Sequence, residues 1–431
     1  MKFMKIKKLI EKLTKKTTKI DLILIIVFIC IFIFIRTVYY KNLFVFIYDQ
    51  VSSSTKALEL WQTKSISLIG PPISIFQIFR REMYFGGISY YIQLIFLLLG
   101  NFDPFRSTYA FMLFSAIMII PLYFGVKKMI NLNAAILMSV AYCLFPLYIE
   151  ATYMLWNPNF QFALLPLFLY LMSIFEYKKS GFLFFFLAIY SGILFQLHYL
   201  FIFVIVGLII YYFLLKKLPL KFLSIALIGF IIGFSPIIIF ELRHNFYNLR
   251  TIILYLNNRK QLFSHWVADY YFLSSSFFGL IILLKLIKKR IKTWLIVLVF
   301  CILAILSYEY VNVDAQTRQY PKGWFYADEL RAYSIIKNNY LNNKIQDFNI
   351  FEFFDATGNA QKYYLKRDGI KINFEDYRNN KYLYVIYHNN QFMKDMAYEI
   401  NEFQPSIIVK EWKINDRYKM YLLKRLESTS Q

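Results

Sequence analysis

The chain has 431 residues, of which 58% are hydrophobic, 20% aromatic and only 17% charged. Soluble domains run at roughly 45–50% apolar and roughly 25% charged, so this composition excludes an ordinary soluble domain and predicts a membrane protein. The net charge of +23 does not point to nucleic acid, because 31 basic against 10 acidic residues lie in the first 308 positions, while residues 309–431 carry 18 basic and 16 acidic ones. Lys and Arg concentrated in short loops between apolar runs are what the positive-inside rule produces.

Eight Lys precede Asp21, and the apolar stretch from Leu22 has no small-residue cleavage site. Residues 1–19 therefore read as a basic cytoplasmic N-terminus leading into an uncleaved first anchor. A bilayer-crossing helix needs about 20 mostly apolar residues. Candidates lie near 20–40, 107–126, 133–150, 159–175, 220–240, 267–284 and 293–308, and the long run Ser180–Leu215 accommodates two helices joined at Gln196–Tyr199. The expected fold is thus an all-α polytopic membrane domain over 20–308 with about nine spans. Met83–Phe102 is apolar but broken by Gly86, Gly87, Ser89, Gln93 and Gly100. Were it to cross, the loops holding Lys127, Lys128, Lys178, Lys179, Lys216, Lys217, Lys221, Lys285, Lys288, Lys289, Arg290 and Lys292 would face away from the Lys-rich N-terminus. It is therefore expected to be a re-entrant or interfacial helix.

That parity places the loop Lys41–Arg106, the turns Trp156–Asn159 and Gln196–Tyr199, the loop Glu241–Asp269 and everything after Glu309 outside the cytoplasm. Residues 309–431 read as a small α/β extracytoplasmic domain. Its expected strands are Phe348–Phe354, Tyr382–Tyr387 and Ile407–Val409, and its expected helices lie near 327–341, 357–367 and 391–401. Cys30, Cys143 and Cys301 sit in apolar runs and form neither a disulfide framework nor a zinc pattern.

The chemistry-bearing residues cluster on the external side. Tyr48-Asp49-Gln50 follows the first span, and then comes a polar, helix-compatible stretch with Lys56 and Glu59, leading to Leu68-Ile69-Gly70-Pro71-Pro72. An acid at the end of a membrane helix is costly unless it has a task or a partner; the plain alternative is a solvated interfacial residue. Trp156-Asn157-Pro158-Asn159, Gln196-Leu197-His198-Tyr199 and Glu241-Leu242-Arg243-His244-Asn245 follow in order. Each has a structural explanation too: Asn157 and Asn159 as caps of the helix after Pro158, Trp156 as an interface-belt aromatic, His198 as a hydrogen-bonded packing residue, and the arginines as headgroup contacts. Tyr90 and Tyr91, with Tyr84, could line a groove for an isoprenoid chain or simply touch lipid.

Taken in this order, the motifs resemble the GT-C membrane glycosyltransferases, nearest the protein-mannosyltransferase branch that includes bacterial aminoarabinose transferases and rhizobial galacturonosyltransferase-like proteins. The resemblance covers about residues 20–310, and the tail is similar to the small C-terminal domain of some bacterial members. It implies a sugar donor carried on a polyprenyl phosphate and a lipid, glycan or protein hydroxyl as acceptor. Asp49 matches the family's acid in the first external loop, with the expected role of base in a single inverting displacement. The phosphate leaving group calls for cations, with Arg243 first and Arg250 and His198 beside it; Arg259, Lys260, Arg80 and Arg81 are further cations on the same side. Gln50, Tyr90, Tyr91, Trp156, Asn157, Asn159, Gln196, Tyr199, Glu241 and His244 are the expected substrate-lining residues. A divalent cation such as Mg, Mn or Zn is left open, with Asp49, Glu150 and Glu241 as the acids that could hold it. The chain departs here from relatives that carry a second Asp in the next external loop. A transporter or flippase of a lipid-linked precursor is the alternative, weakened because no paired halves or midplane charges are visible. A structural scaffold explains the spans but not the ordered motifs.

Overall fold

The structure is a computed structural model and describes residues 18–38, 40–73, 82–257, 269–312, 320–342, 345–354, 358–370, 377–388 and 397–426. Arg80, Arg81, Arg259 and Lys260 lie outside the described residues.

The first helix, α1 (Lys19–Thr37), opens with a capping box in which Thr18 and Asp21 satisfy each other's backbone N–H. A second helix, α2 (Tyr48–Thr63), is followed by a short antiparallel hairpin of β1 (Ile69–Ile73) and β2 (Met83–Gly86). Then come α3 (Ile88–Leu99), α4 (Pro104–Met129), α5 (Leu132–Leu144), α6 (Asn157–Lys178), α7 (Gly181–Leu197), α8 (Tyr199–Leu215) and α9 (Lys221–Arg243). The helical part closes with α10 (Tyr247–Asn257), α11 (Tyr270–Ile287) and α12 (Thr293–Asn312). The remainder alternates: α13 (Tyr326–Asn342), β3 (Phe348–Glu352), α14 (Asn359–Arg367), β4 (Tyr382–Tyr387), α15 (Tyr398–Glu402), β5 (Ser406–Lys413) and β6 (Lys419–Arg425).

Among the described residues six helices, α1, α4, α6, α9, α11 and α12, are long and apolar enough to cross a membrane, while α3, α5, α7 and α8 are shorter apolar helices. The exposed faces carry Leu223, Leu227, Ile228, Ile231 and Ile232 on α9 and Trp294, Val297, Leu298, Ile302 and Ile305 on α12. A water-soluble monomer does not display apolar stripes of this extent; the chain is an integral membrane protein.

The chain divides into two units. The first comprises Met1–Tyr39, Ser67–Ile92 and Thr108–Asn312, and the second Tyr40–Ile66, Gln93–Ser107 and Val313–Gln431. In the first unit the basic loops gather at one end. Asp21, at the start of α1, accepts from Lys127 at 2.5 Å and from the Tyr123 hydroxyl at 2.7 Å, near the end of α4. Asn131 and Asn133 donate to the carbonyls of Lys288 and Ile291, and Lys285 reaches Glu176 through the Tyr211 hydroxyl. The 12 residues of α3 span about 18 Å, less than a bilayer crossing needs.

Helices α7 and α9 pack backbone to backbone. A Cβ at Gly192 would lie 2.6 Å from the Phe230 carbonyl, and one at Gly229 2.7 Å from that of Phe185. One at Gly233 would meet the Ile189 carbonyl. Gly229 and Gly233 form the small-x-x-x-small spacing that permits close helix contact in lipid.

The second unit is built on a four-stranded sheet ordered β3-β4-β6-β5, parallel between β3 and β4 and antiparallel elsewhere. A parallel pair needs a crossover, which α14 supplies. One sheet face packs Phe351, Leu383, Val385 and Tyr421 with Ile400 and Phe403. All three strands expected in the tail are present, and β6 is an addition. The run Phe44–Ile47 is wholly buried in this unit.

Candidate active site

In the first unit, the motifs around Tyr84, Asn157, Gln196 and Glu241 meet through hydrogen bonds to backbone. Asn157, at the first turn of α6, donates to the Leu197 carbonyl at 2.7 Å. Gln161, one turn on, donates to the carbonyls of Leu194 (2.7 Å) and His198 (3.0 Å). The Leu194 and His198 carbonyls also accept the backbone N–H groups of His198 and Phe201, so the start of α6 adds a second donor to each and ties down the end of its neighbour. Asn159 donates to the Met154 carbonyl. Neither Asn caps its own helix; Trp156 takes the N-cap place without a side-chain bond, a correction to the capping expectation.

The hairpin joins the same region. Tyr199 donates to the Tyr84 carbonyl at 2.6 Å, while the Tyr84 N–H donates to Asn248 at 3.0 Å. Gln196 donates to the Gly233 carbonyl at 2.5 Å, and its Oε1 occupies the space a Cβ on Gly86 would need; glycine is required there by close approach. Tyr91 brackets Ser67, accepting from its N–H at 2.9 Å and donating to its carbonyl at 3.2 Å, and Tyr90 is buried on α3.

His198 is buried in the turn outside both helices it joins, with its ring against Phe85 (5.5 Å), Tyr271 (5.8 Å) and Tyr270 (6.1 Å). Burial pushes the imidazole below its ordinary range, which leaves a neutral hydrogen-bonding group at neutral pH. Trp156 packs on Tyr270 at 4.4 Å. Glu241 accepts from the backbone N–H groups of Asn248 (3.1 Å) and Leu249 (3.2 Å); it caps the start of α10, where a carboxylate also meets the positive end of the helix dipole. His244 stacks on Phe240 with ring centres 4.4 Å apart, its Nδ1 2.9 Å from the Phe240 carbonyl. Arg243 and Arg250 differ from these groups: both are exposed, and among the described residues neither guanidinium has a carboxylate partner. Glu150 is half-buried at the end of a short helical turn, Pro146–Glu150.

In the second unit, Asp49 occupies the first turn of α2. Its side chain is exposed, and no cation or hydrogen-bond donor engages it among the described residues. Desolvation by surrounding protein nevertheless raises its pKa above the usual carboxylate range. Gln50 is fully buried, and among the described residues both atoms of its amide lack a hydrogen-bond partner. Its backbone carbonyl accepts from Gln93, whose amide also donates to Ser54 at 2.7 Å. Among the described residues no three His, Cys, Asp or Glu side chains gather as a metal group.

Sequence reasoning passed over Gln161, Asn248 and Tyr320. The spacing of Asn157 and Gln161 by one helical turn was a usable signal; Asn248 and Tyr320 act across long sequence separations and offered none. It also passed over Arg36, which is fully buried near the end of α1. Its guanidinium donates to Thr152 (2.8 Å) and to the carbonyls of Cys143 (2.8 Å), Tyr148 (3.1 Å), Tyr142 (3.3 Å) and Phe32 (3.4 Å).

The class these features define is a polytopic membrane protein whose helical unit carries hydrogen-bonded turns at one end, with a second α/β unit bearing an uncommitted carboxylate. No family model matches the chain, and no curated protein matches it. Two solved structures are similar to it. ArnT from Cupriavidus metallidurans bound to undecaprenyl phosphate aligns at 8% identity and a TM-score of 0.46, covering 92% of this chain and 97% of that one. The same protein in the apo state aligns at 10% identity and 0.49, with the same coverage.

Proposed function

We propose that the protein is a membrane glycosyltransferase that moves a sugar from a polyprenyl-phosphate donor to a lipid, glycan or protein hydroxyl on the extracytoplasmic face. The observation that carries this reading is Asp49. It is a solvent-open carboxylate directly after the first span, free of ion pairs among the described residues and raised above the ordinary carboxylate range by desolvation. A structural acid is paired or capped, as Asp21 and Glu241 are; a base must keep its oxygens available and its proton affinity high.

In this reading Asp49 takes the proton from the acceptor hydroxyl as that oxygen attacks the anomeric carbon. The bond from that carbon to the phosphate oxygen breaks in the same displacement, inverting the centre and releasing polyprenyl phosphate. The leaving group departs as an anion and needs little protonation, so one carboxylate suffices, unlike the pair that glycoside hydrolysis uses. Arg243 and Arg250 are the cations for the phosphate, since a guanidinium pairs phosphate oxygens in a planar fork. His198 serves as a neutral donor or as packing. Asn157, Asn159, Gln196, Tyr199, Tyr91 and Glu241 act by fixing backbone rather than by touching sugar, and Gln50 supplies an unspent amide beside the base. The N-terminus is assigned to the cytoplasm because the Lys-rich loops share its end of the helical unit.

The test is sugar transfer in lipid vesicles from a polyprenyl-phosphate sugar. Asp49→Asn is expected to express and purify as the wild type does while losing transfer by at least about 100-fold. Equal transfer by the two proteins would remove the reading, as would movement of the intact donor across the vesicle wall without transfer.

A further inference from the structure

The second unit joins Asp49 to the C-terminal domain, and the joint has a definite form. Residues Phe44–Ile47 approach α2 as a buried segment outside the helices and strands among the described residues; the Phe44 N–H is taken by the Tyr40 carbonyl at 2.9 Å, and the N–H groups that follow must find partners elsewhere. Phe46 finds one in the hydroxyl of Tyr320, 274 positions away, at 3.0 Å. Both residues are buried. Tyr48 then takes a left-handed backbone, φ 45°, which a side chain other than glycine adopts only where its surroundings hold it. Its phenol donates to the Phe354 carbonyl at 2.9 Å. Asp49 is the next residue, and the left-handed step before it sets the direction in which α2 begins and the carboxylate points. Farther along α2, Glu59 pairs with Lys366, and Gln62 donates to the Lys366 carbonyl.

We propose that the C-terminal domain is the part of the protein that positions the base, and that Tyr320 is its positioning residue, acting through the Phe46 N–H on the strained step at Tyr48. The inference rests on Asp49 being the base. Tyr320 touches no substrate in this scheme: its hydroxyl fixes the segment from which the base projects. The domain then governs the rate of the chemical step, while donor binding is left to residues of the first unit.

The experiment uses the full-length protein in lipid nanodiscs. Tyr320→Phe keeps the ring and removes the hydroxyl. Its expected result is faster amide exchange across 44–54, kcat lowered about 10-fold or more by misplacement of the base, and an unchanged KM for the donor. Tyr384→Phe removes another buried tyrosine hydroxyl in the same domain and is expected to change neither quantity. Tyr48→Phe, at an exposed ring, removes the second anchor and is expected to shift exchange and kcat in the same direction should Tyr320→Phe fold poorly. Unchanged exchange in Tyr320→Phe would overturn the proposal, and so would faster exchange with unchanged kcat or a loss confined to KM. Equal transfer by wild type and Asp49→Asn would instead remove the base assignment, and the catalytic role of Tyr320 with it, while the exchange data still decide whether Tyr320 holds the segment.

Discussion

At Asp49 two effects oppose each other. Partial withdrawal from water disfavours the charged carboxylate and raises its pKa, whereas the N-terminal end of α2 favours the charge. Desolvation prevails, which makes Asp49 a stronger base than a free carboxylate. Transfer should therefore rise with pH through an acid limb lying above the ordinary aspartate value of about 4, because below that limb the carboxyl is protonated and cannot accept a proton. Measuring kcat/KM from pH 4 to 8 checks this, and a limb at or below the ordinary value would show a fully solvated group. Asp49 itself was legible in the sequence, since an acid at the edge of an apolar run stands out. The commitments of Asn157, Gln196, Tyr199 and Glu241 were not: each spends its polar atoms on backbone brought near only by folding, and a side chain's type says nothing of which carbonyl it will meet.

Among the elements, the contact between α7 and α9 depends most directly on single residues. Without a hydrophobic drive between helices in lipid, close packing of backbones does much of the holding. Gly233→Leu would force the Ile189 carbonyl away, and overpacking of this kind costs about 1–3 kcal/mol. Lower yield of monodisperse protein and a lower unfolding temperature in detergent are the expected outcome; a variant as stable as wild type would mean the helices can separate freely. Helix positions could be read from hydropathy because each span is a continuous apolar run. The β1–β2 hairpin escaped notice because its strands are four and five residues long and one holds two prolines. The edge strand β5 was visible by its Ile-Ile-Val run, while β6, flanked by Lys and Arg, lacked a clear boundary.

For the molecule as a whole, the proposed orientation rests on the placement of charge. With Cys30, Cys143 and Cys301 replaced, Lys410→Cys should react with a membrane-impermeant maleimide added to intact cells, and Lys178→Cys should react only after permeabilisation. The reverse pattern would invert the assigned topology. The proposed orientation was read from loop charge, since parity links every loop to the N-terminus. The membership of residues 40–66 and 93–107 in one unit with the tail was not legible, because nothing in a local window couples Phe46 to Tyr320.

Arg36 also bears on how the protein is made. Its acceptors are backbone carbonyls and one hydroxyl, and all except the Phe32 carbonyl belong to residues 142–152. Those residues leave the ribosome more than a hundred positions later. Until they arrive, the guanidinium has to remain at headgroup depth, because an uncompensated positive charge is not tolerated in the hydrocarbon. The anchor helix is therefore expected to reach its final depth only once α5 and the turn beyond it have arrived to supply those carbonyls.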